Sequence, residues 1–504
     1  MKSNGKRSLS LLAGIVALLS VWACPGVSAE RPEPRLVPLV RVVDLNVGQS
    51  QSVKFSTGAG VDVKLLDLKE VRDDIRNAVR RATVTVEIAG QVVSLVSSTY
   101  RLPVTVGNVQ IDCAVTKGYT ANSSKKNAWG LVKDARLRLW PVGSALIKPG
   151  TFVYPVKQRW FASDTQMANV PVFVDGGEIP TNKNIYYHYG LDFGGAECMV
   201  EVVAATDGLV VSTGTERLPG YDDSPVAPRY DVIYVLDSRG WFYRYSHLYE
   251  IDGAVKPGAR VRMGQRVGVV GKEGGSGGWS HLHFGIKSRQ PSGLWGTVNG
   301  YPFIWEAYQR QYEPDIIAVA RPHCISWAGE PVELDATRSW SRCGAIERFE
   351  WTFCNGTSTT GPKVRRTYDK PGQYNEILKI TDARGNIAYD FAVVQILDKA
   401  HPDQTPPAIH AAYHPTFDIK PGDKLTFKVR AFRTTHGQET WNFGDGSPEV
   451  TVQSDGNAEV HNPQGYAVTK HAYDKPGDYI ASVRRSNERG QQAITHLHIR
   501  VADN

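Results

Sequence analysis

From about Leu36 to Trp140 apolar and polar residues alternate, as in Thr83-Val84-Thr85-Val86-Glu87-Ile88 and Val104-Thr105-Val106. Period-two alternation gives a strand one apolar and one polar face, so this stretch predicts a β-rich domain, with Ala89-Gly90 turning one strand into the next. One interruption is expected. Val71, Ile75, Ala78, Val79 and Ala82 recur at helical spacing, with Arg72, Asp73, Asp74, Arg76 and Arg80 on the opposite face, which predicts a helix. Between about Ala145 and Glu306, Val-rich runs separated by glycines, including Val200–Thr213, Asp231–Leu236 and Gly264–Val270, predict an antiparallel sheet with long loops. Loops fixed on such a sheet are where function tends to sit.

Beyond about Pro314 the chain repeats itself. Tyr368-Asp369-Lys370-Pro371-Gly372-Gln373-Tyr374 matches Tyr473-Asp474-Lys475-Pro476-Gly477-Asp478-Tyr479, with Trp351 and Trp441 upstream of each. The longer Trp-to-Tyr interval of the second copy places an insertion around Val450–Tyr466. Asp403–Pro407, polar and proline-rich, reads as the linker between copies.

A chain of 504 residues is too long for one core, and its 22 Tyr and 12 Trp favour β-structure. The first segment carries Lys2, Lys6 and Arg7, an apolar stretch from Leu9 to Ala23, and the small-residue pattern Val27-Ser28-Ala29. This reads as a cleaved export signal, too short to span a bilayer. Cys24, preceded by Val21-Trp22-Ala23, is a poor lipid-attachment site because Trp22 is too bulky. After cleavage no stretch is apolar for long enough to cross a membrane, so the expected location is periplasmic, cell-envelope or extracellular. An oxidising compartment then predicts disulfides: one among Cys324, Cys343 and Cys354, and Cys113 with Cys198 as a candidate second. The formal charge of +7, three units of it in the leader, is no nucleic-acid footprint but mildly favours an anionic envelope polymer.

The chemistry-bearing residues lie in the middle stretch. His188-Tyr189-Gly190-Leu191-Asp192 runs into Phe193-Gly194-Gly195, and the glycines at 190, 194 and 195 argue against a helix. A turn entering a strand must therefore bring the His and Asp side chains to one point. In Ser280-His281-Leu282-His283-Phe284-Gly285-Ile286, strand alternation projects His281 and His283 to one side and Leu282 and Phe284 toward the core. His496-Leu497-His498 has the same spacing and reads as a polar strand face. Context separates the two, for His281 follows Gly274-Gly275-Ser276-Gly277-Gly278, where backbone can pass close to a substrate. A further element is Tyr245-Ser246-His247-Leu248.

With Val255-Lys256-Pro257-Gly258 and Gly264-Gln265-Arg266-Val267-Gly268 between them, these elements resemble the lysostaphin/LytM family of zinc endopeptidases, from about Tyr186 to Lys287. That family's signature is H-x-x-x-D, then Y-x-H-L, then a Gly-Gln and glycine-rich approach to H-L-H-F. Ser246 stands where glycine is common and Gly285 where an acidic residue is usual. Neither is a ligand position, so these departures bear on substrate more than on catalysis. The resemblance implies Zn2+ held by His188, Asp192 and His283, with His281 as general base and His247 orienting substrate or stabilising the tetrahedral intermediate, roles that could be exchanged. Two imidazoles and one carboxylate suit zinc and leave a fourth position for water, whose pKa zinc lowers to about 7. Cys198 reads as a disulfide partner or buried thiol rather than a ligand.

Trp441-Asn442-Phe443-Gly444-Asp445-Gly446, followed by His471-Ala472-Tyr473 and the Pro-Gly turn, resembles the polycystic-kidney-disease (PKD) repeat, an immunoglobulin-like sandwich. The first copy replaces the Gly-Asp pair with Cys354-Asn355. The expected chain is thus mainly β and multidomain: a signal peptide at 1–29, an N-terminal β-rich domain at 30–144, an antiparallel β-sheet peptidase domain at 145–312, and immunoglobulin-like PKD modules at 313–400 and 405–504. The expected activity is peptide-bond hydrolysis in peptidoglycan stems or cross-bridges, with a glycine-rich extracellular protein as the alternative substrate. Glycan or protein contacts through the PKD-like modules are expected, and no nucleic-acid partner. The rival readings are a zinc-free envelope binding or regulatory protein and an adhesion scaffold. The polar segment Ala121–Trp129 reads as a surface loop, with covering the site as the alternative.

Overall fold

The computed structural model describes Met1 and residues 31–98, 100–121, 127–159 and 187–503. The export signal, apart from Met1, lies outside the described residues, as does most of Ala121–Trp129. No helix among the described residues is long and apolar enough to cross a membrane.

Two four-stranded antiparallel sheets build the N-terminal domain. One runs in the order Arg41–Leu45, Ala135–Pro141, Val109–Thr116, Val104–Val106, and the other in chain order from Ser50–Lys54 through Gly60–Arg72 and Val79–Ile88 to Gln91–Ser97. The expected turn at Ala89-Gly90 is present, with both residues at positive φ. The expected helix around 71–82 is absent. Gly60–Arg72 and Val79–Ile88 pair as an antiparallel hairpin, and Asp73 organises its corner by accepting the backbone N–H groups of Ile75 and Arg76. The helical spacing arose from strand residues on either side of this corner, where the count of residues interrupts the period of two. Arg136 and Arg138 stand buried on the central strand, paired with Asp44 at 2.8 Å and Asp112 at 2.5 Å. Arg138 also donates to Asn299 O at 2.6 Å, which ties this domain to the next.

The middle domain is a twisted antiparallel sheet. Gly208–Thr213, Ile233–Leu236, Phe242–Ser246, His281–Arg289 and Trp295–Thr297 lie side by side, and Leu191–Gly194 pairs with the far edge of His281–Arg289. A smaller sheet of Glu201–Val203, Arg266–Val270 and Leu248–Ile251 backs it. The helix Tyr301–Tyr312, with Pro302 in its first turn, lays Phe303, Ile304, Ala307 and Tyr308 on the shared core and ends where Glu313 turns left-handed.

The repeat is visible as two sandwiches around Trp351 and Trp441, both fully buried. Its shared motif has one physical role, since Tyr374 donates to Lys370 O at 2.8 Å and Tyr479 to Lys475 O at 2.9 Å, closing the same Pro-Gly turn. The modules also share a sheet through a parallel contact of Gln373 with Ala493. His496 and His498, expected from sequence to form a polar strand face, are buried. His496 donates to Asn375 Oδ1 of the first module at 2.6 Å, and His498 to Asp478.

Cys113, Cys198, Cys324, Cys343 and Cys354 are all free thiols, so the two expected disulfides are absent. Cys113 and Cys198 belong to different domains, and Cys354 is engaged with the backbone of Asn375. Cys198 is exposed rather than buried.

Candidate metal centre

The strand His281–Arg289 is the floor of the site. Register places His283 opposite Asp192 on one neighbour and Ser246 on the other, so His281 and His283 share a face while Leu282 and Phe284 enter the core. His188 lies just before the strand Leu191–Gly194. The residue ahead of it, Tyr187, is held by the N-terminal domain: its hydroxyl accepts the Val79 N–H at 2.6 Å and its ring meets Tyr119 edge-on.

Three ligand atoms converge. His188 Nε2 lies 2.9 Å from His283 Nδ1 and 3.1 Å from Asp192 Oδ1, and the last two are 3.0 Å apart. All three side chains are more than nine-tenths buried. Around a tetrahedral zinc with bonds of about 2.0–2.1 Å, ligand atoms sit roughly 3.3 Å apart, so this triangle is spaced as one small cation would space it. The donor types also suit zinc. Among the described residues this is the one His, Cys, Asp and Glu group so disposed. Burial opposes charge on Asp192, but His188, His281 and His283 outweigh it and hold the carboxyl well below its usual range. Burial pushes His283 down to about 3, so its ring is neutral, the form a metal requires.

Sequence reading counted Gly190 only as a helix breaker. In the structure a Cβ there would fall 2.6 Å from His283 Nε2, so glycine is what lets the ring settle.

His281 and His247 border the triangle. His281 Nδ1 donates to Trp279 O at 3.0 Å and His247 Nδ1 to Glu273 O at 2.6 Å. A carbonyl only accepts, so both rings carry a proton on Nδ1, and the neutral His281 ring keeps its lone pair on Nε2. The two ring centres are 4.6 Å apart, and His281 Nε2 is 3.7 Å from Asp192 Oδ1. Burial holds His281 well below its ordinary pKa, against the pull of Asp192. Trp279 stacks on the other side of His281 at 3.7 Å. His247 has φ 68, an uncommon conformation for a non-glycine residue, and Asp231 Oδ2 fixes it by accepting its backbone N–H at 2.8 Å. Arg229 grips both oxygens of Asp231. Asp231, Arg229 and Trp279 carried no sequence signal, since their roles depend on contacts across strands.

Residues 186–293 match the model of Peptidase family M23. The middle domain is an M23 peptidase domain. Residues 314–396 and 411–499 each match a PKD domain. A collagenase, ColA from Clostridium perfringens, is 29% identical over 69 residues, 14% of this chain and 6% of that protein. Among solved structures, Csd3 of Helicobacter pylori shares 14% identity over 52% of this chain and 82% of its own, with a TM-score of 0.21. The PKD1 domain of the Vibrio cholerae metalloprotease PrtV shares 24% over 17% of this chain and 95% of its own, with a TM-score of 0.14.

The second PKD module reaches the M23 site. Arg430, clamped by Asp455, donates to Gly278 O at 2.6 Å, Asn457 donates to Gly277 O at 3.2 Å, and His461 Nδ1 lies 3.2 Å from Lys272 O. Asp455, Asn457 and His461 all belong to the insertion that the sequence marked at Val450–Tyr466. The glycine-rich loop leading to His281 is therefore braced by a different domain.

Proposed function

We propose that this chain is an exported zinc metalloendopeptidase that hydrolyses peptide bonds in peptidoglycan stems or cross-bridges. The carrying observation is the triangle of His188 Nε2, Asp192 Oδ1 and His283 Nδ1, flanked by two imidazoles of fixed tautomer. Bound there, zinc would supply Lewis acidity and acidify water near neutral pH.

The chain's own groups do the rest. His281 Nε2 is a lone pair held beside Asp192, suited to take a proton, and Trp279 O fixes the ring for that transfer. His247, held by Asp231 and Glu273, faces the same space and would orient the substrate carbonyl or, once protonated, stabilise developing oxyanion charge. Burial of Asp192, His247, His281 and His283 keeps bulk water from their side chains, which strengthens each of these interactions. The PKD modules would hold polymer or protein near the cleft.

Purified peptidoglycan incubated with wild type and with His283→Ala, followed by mass spectrometry of the products, tests the reading. New amines or muropeptides are expected from wild type alone, with about one zinc per chain. Equal release from both proteins, or no stoichiometric zinc, would overturn it and favour the envelope-binding alternative. A glycine-rich protein substrate run in parallel decides between substrate classes.

A further inference from the structure

Next to His283 the M23 site holds positive charge that no carboxylate among the described residues answers. Arg244 faces Gly285 across paired strands, on the metal-site side of the sheet. Lys287 lies two residues further along the same face as His283, with its Nζ 5.9 Å from the centre of the Tyr189 ring, and that ring in turn lies 5.8 Å from His283. Neither cation has an ion-pair partner among the described residues, although the other cations near the site do: Arg229 holds Asp231 and Lys272 holds Glu197.

Two hydrogen-bond donors there are orphaned. Arg244 Nε is buried without a partner, and so is His283 Nε2, which carries the ring proton when Nδ1 turns toward His188 and Asp192. A buried donor left unpaired is costly, and two from side chains that flank Gly285 suit a shared acceptor. Gly285, between them, brings no side chain to serve as one. A Cβ at 285 would lie 3.8 Å from Arg244 Cβ and 3.9 Å from His283 Nε2, in ordinary contact with both, so a group placed over Gly285 would lie between the two side chains. Burial and the charge of Arg244 push the Lys287 ammonium below its usual range, the cost of holding two cations together without an anion.

We propose that Arg244, Lys287 and His283 Nε2 form a subsite for a substrate carboxylate, placed by Gly285 next to the metal centre. A carboxylate would accept from both orphaned donors and neutralise the cation pair, so charge-assisted bonds would register an acidic ligand beside the reacting bond. The subsite rests on the peptidase reading for its role in turnover, but its binding chemistry does not.

Isothermal calorimetry on the intact chain tests it with two probe pairs: acetyl-alanyl-alanine against its C-terminal amide, and acetyl-glutamate α-amide against acetyl-glutamine α-amide. The acid of at least one pair should bind roughly tenfold more tightly than its neutral partner, and which pair does so identifies a terminal or side-chain carboxylate. Gly285→Glu, which supplies an internal carboxylate, and Arg244→Gln should each bring the ratio within about twofold. Equal binding of acid and amide in both pairs, or a preference that survives both substitutions, would overturn the subsite. Peptidoglycan hydrolysis without acid preference defeats the subsite alone, whereas acid preference without hydrolysis defeats the peptidase reading alone.

Discussion

The phenol oxygen of Tyr466 accepts the backbone N–H of Ser280 at 2.7 Å, one residue ahead of His281. The same hydroxyl is hydrogen-bonded to His410 Nδ1 at 2.8 Å, so a chain of hydrogen bonds from the second PKD module ends beside the strand of the metal centre. Ser280 is fully buried and no water replaces a lost acceptor there. Tyr466→Phe keeps the ring and removes the acceptor, at a cost on the order of 1–3 kcal/mol. Faster amide exchange across 278–283 and a lower kcat with unchanged zinc content are expected. Unchanged exchange there would show that the module is an independent appendage.

Gly190 makes a second, steric test. Alanine at this position sets its Cβ against the His283 ring, and the neighbouring Phe284 carbonyl, at 2.9 Å, blocks retreat on the other side. His283 must then shift from the triangle. Gly190→Ala should retain wild-type circular dichroism but lose zinc affinity by roughly 10–100-fold, the scale on which ligand orientation matters. Zinc titration against a competing chelator measures it, and wild-type affinity would refute the packing argument.

These two positions show what was legible in the sequence. Side-chain alternation in His281-Leu282-His283-Phe284 was enough to place two imidazoles on one face and two apolar groups in the core, because period two is a local property of strands. The PKD pair was readable because a repeated turn motif does a repeated job. Tyr466 was not: its partner Ser280 lies 186 residues away, and only folding reveals the contact. The hairpin around Asp73 was misread as a helix because a corner between strands spaced apolar residues at about the helical period, and tertiary pairing overrode the pattern. The cysteines misled for another reason, since compartment says that disulfides can form, not which thiols meet.

Position relative to Asp192, not tautomer, separates the roles of His281 and His247. His281 Nε2 stands 3.7 Å from Asp192 Oδ1, while His247 is set back on a strained backbone beside Asp231. His281→Gln should lower kcat by about 10²–10⁴ while zinc remains bound, as removing a general base does. His247→Gln should cost less in kcat and more in KM if it orients substrate. Steady-state kinetics with metal analysis decide, and the reverse pattern would exchange the two assignments.

His496 gives the C-terminal half a dependence on pH. Burial takes it from the ordinary 6.5 to about 4, because its ring lies between the modules, donating to Asn375 and stacked on Phe391. The unfolded chain therefore binds a proton that the folded chain refuses in that window. Stability is complete above the unfolded pKa and falls as pH drops toward the folded one, by about 1.4 kcal/mol per pH unit for one such group. His498, also lowered to about 4, adds a similar slope. His496→Gln keeps a donor for Asn375 but cannot take up a proton. Urea unfolding followed by tryptophan fluorescence should show the variant less sensitive to acid than wild type by about one proton between pH 6.5 and 4. Parallel profiles for the two proteins would mean that His496 takes up its proton equally in the folded and unfolded chain and gives the interface between the modules no dependence on pH.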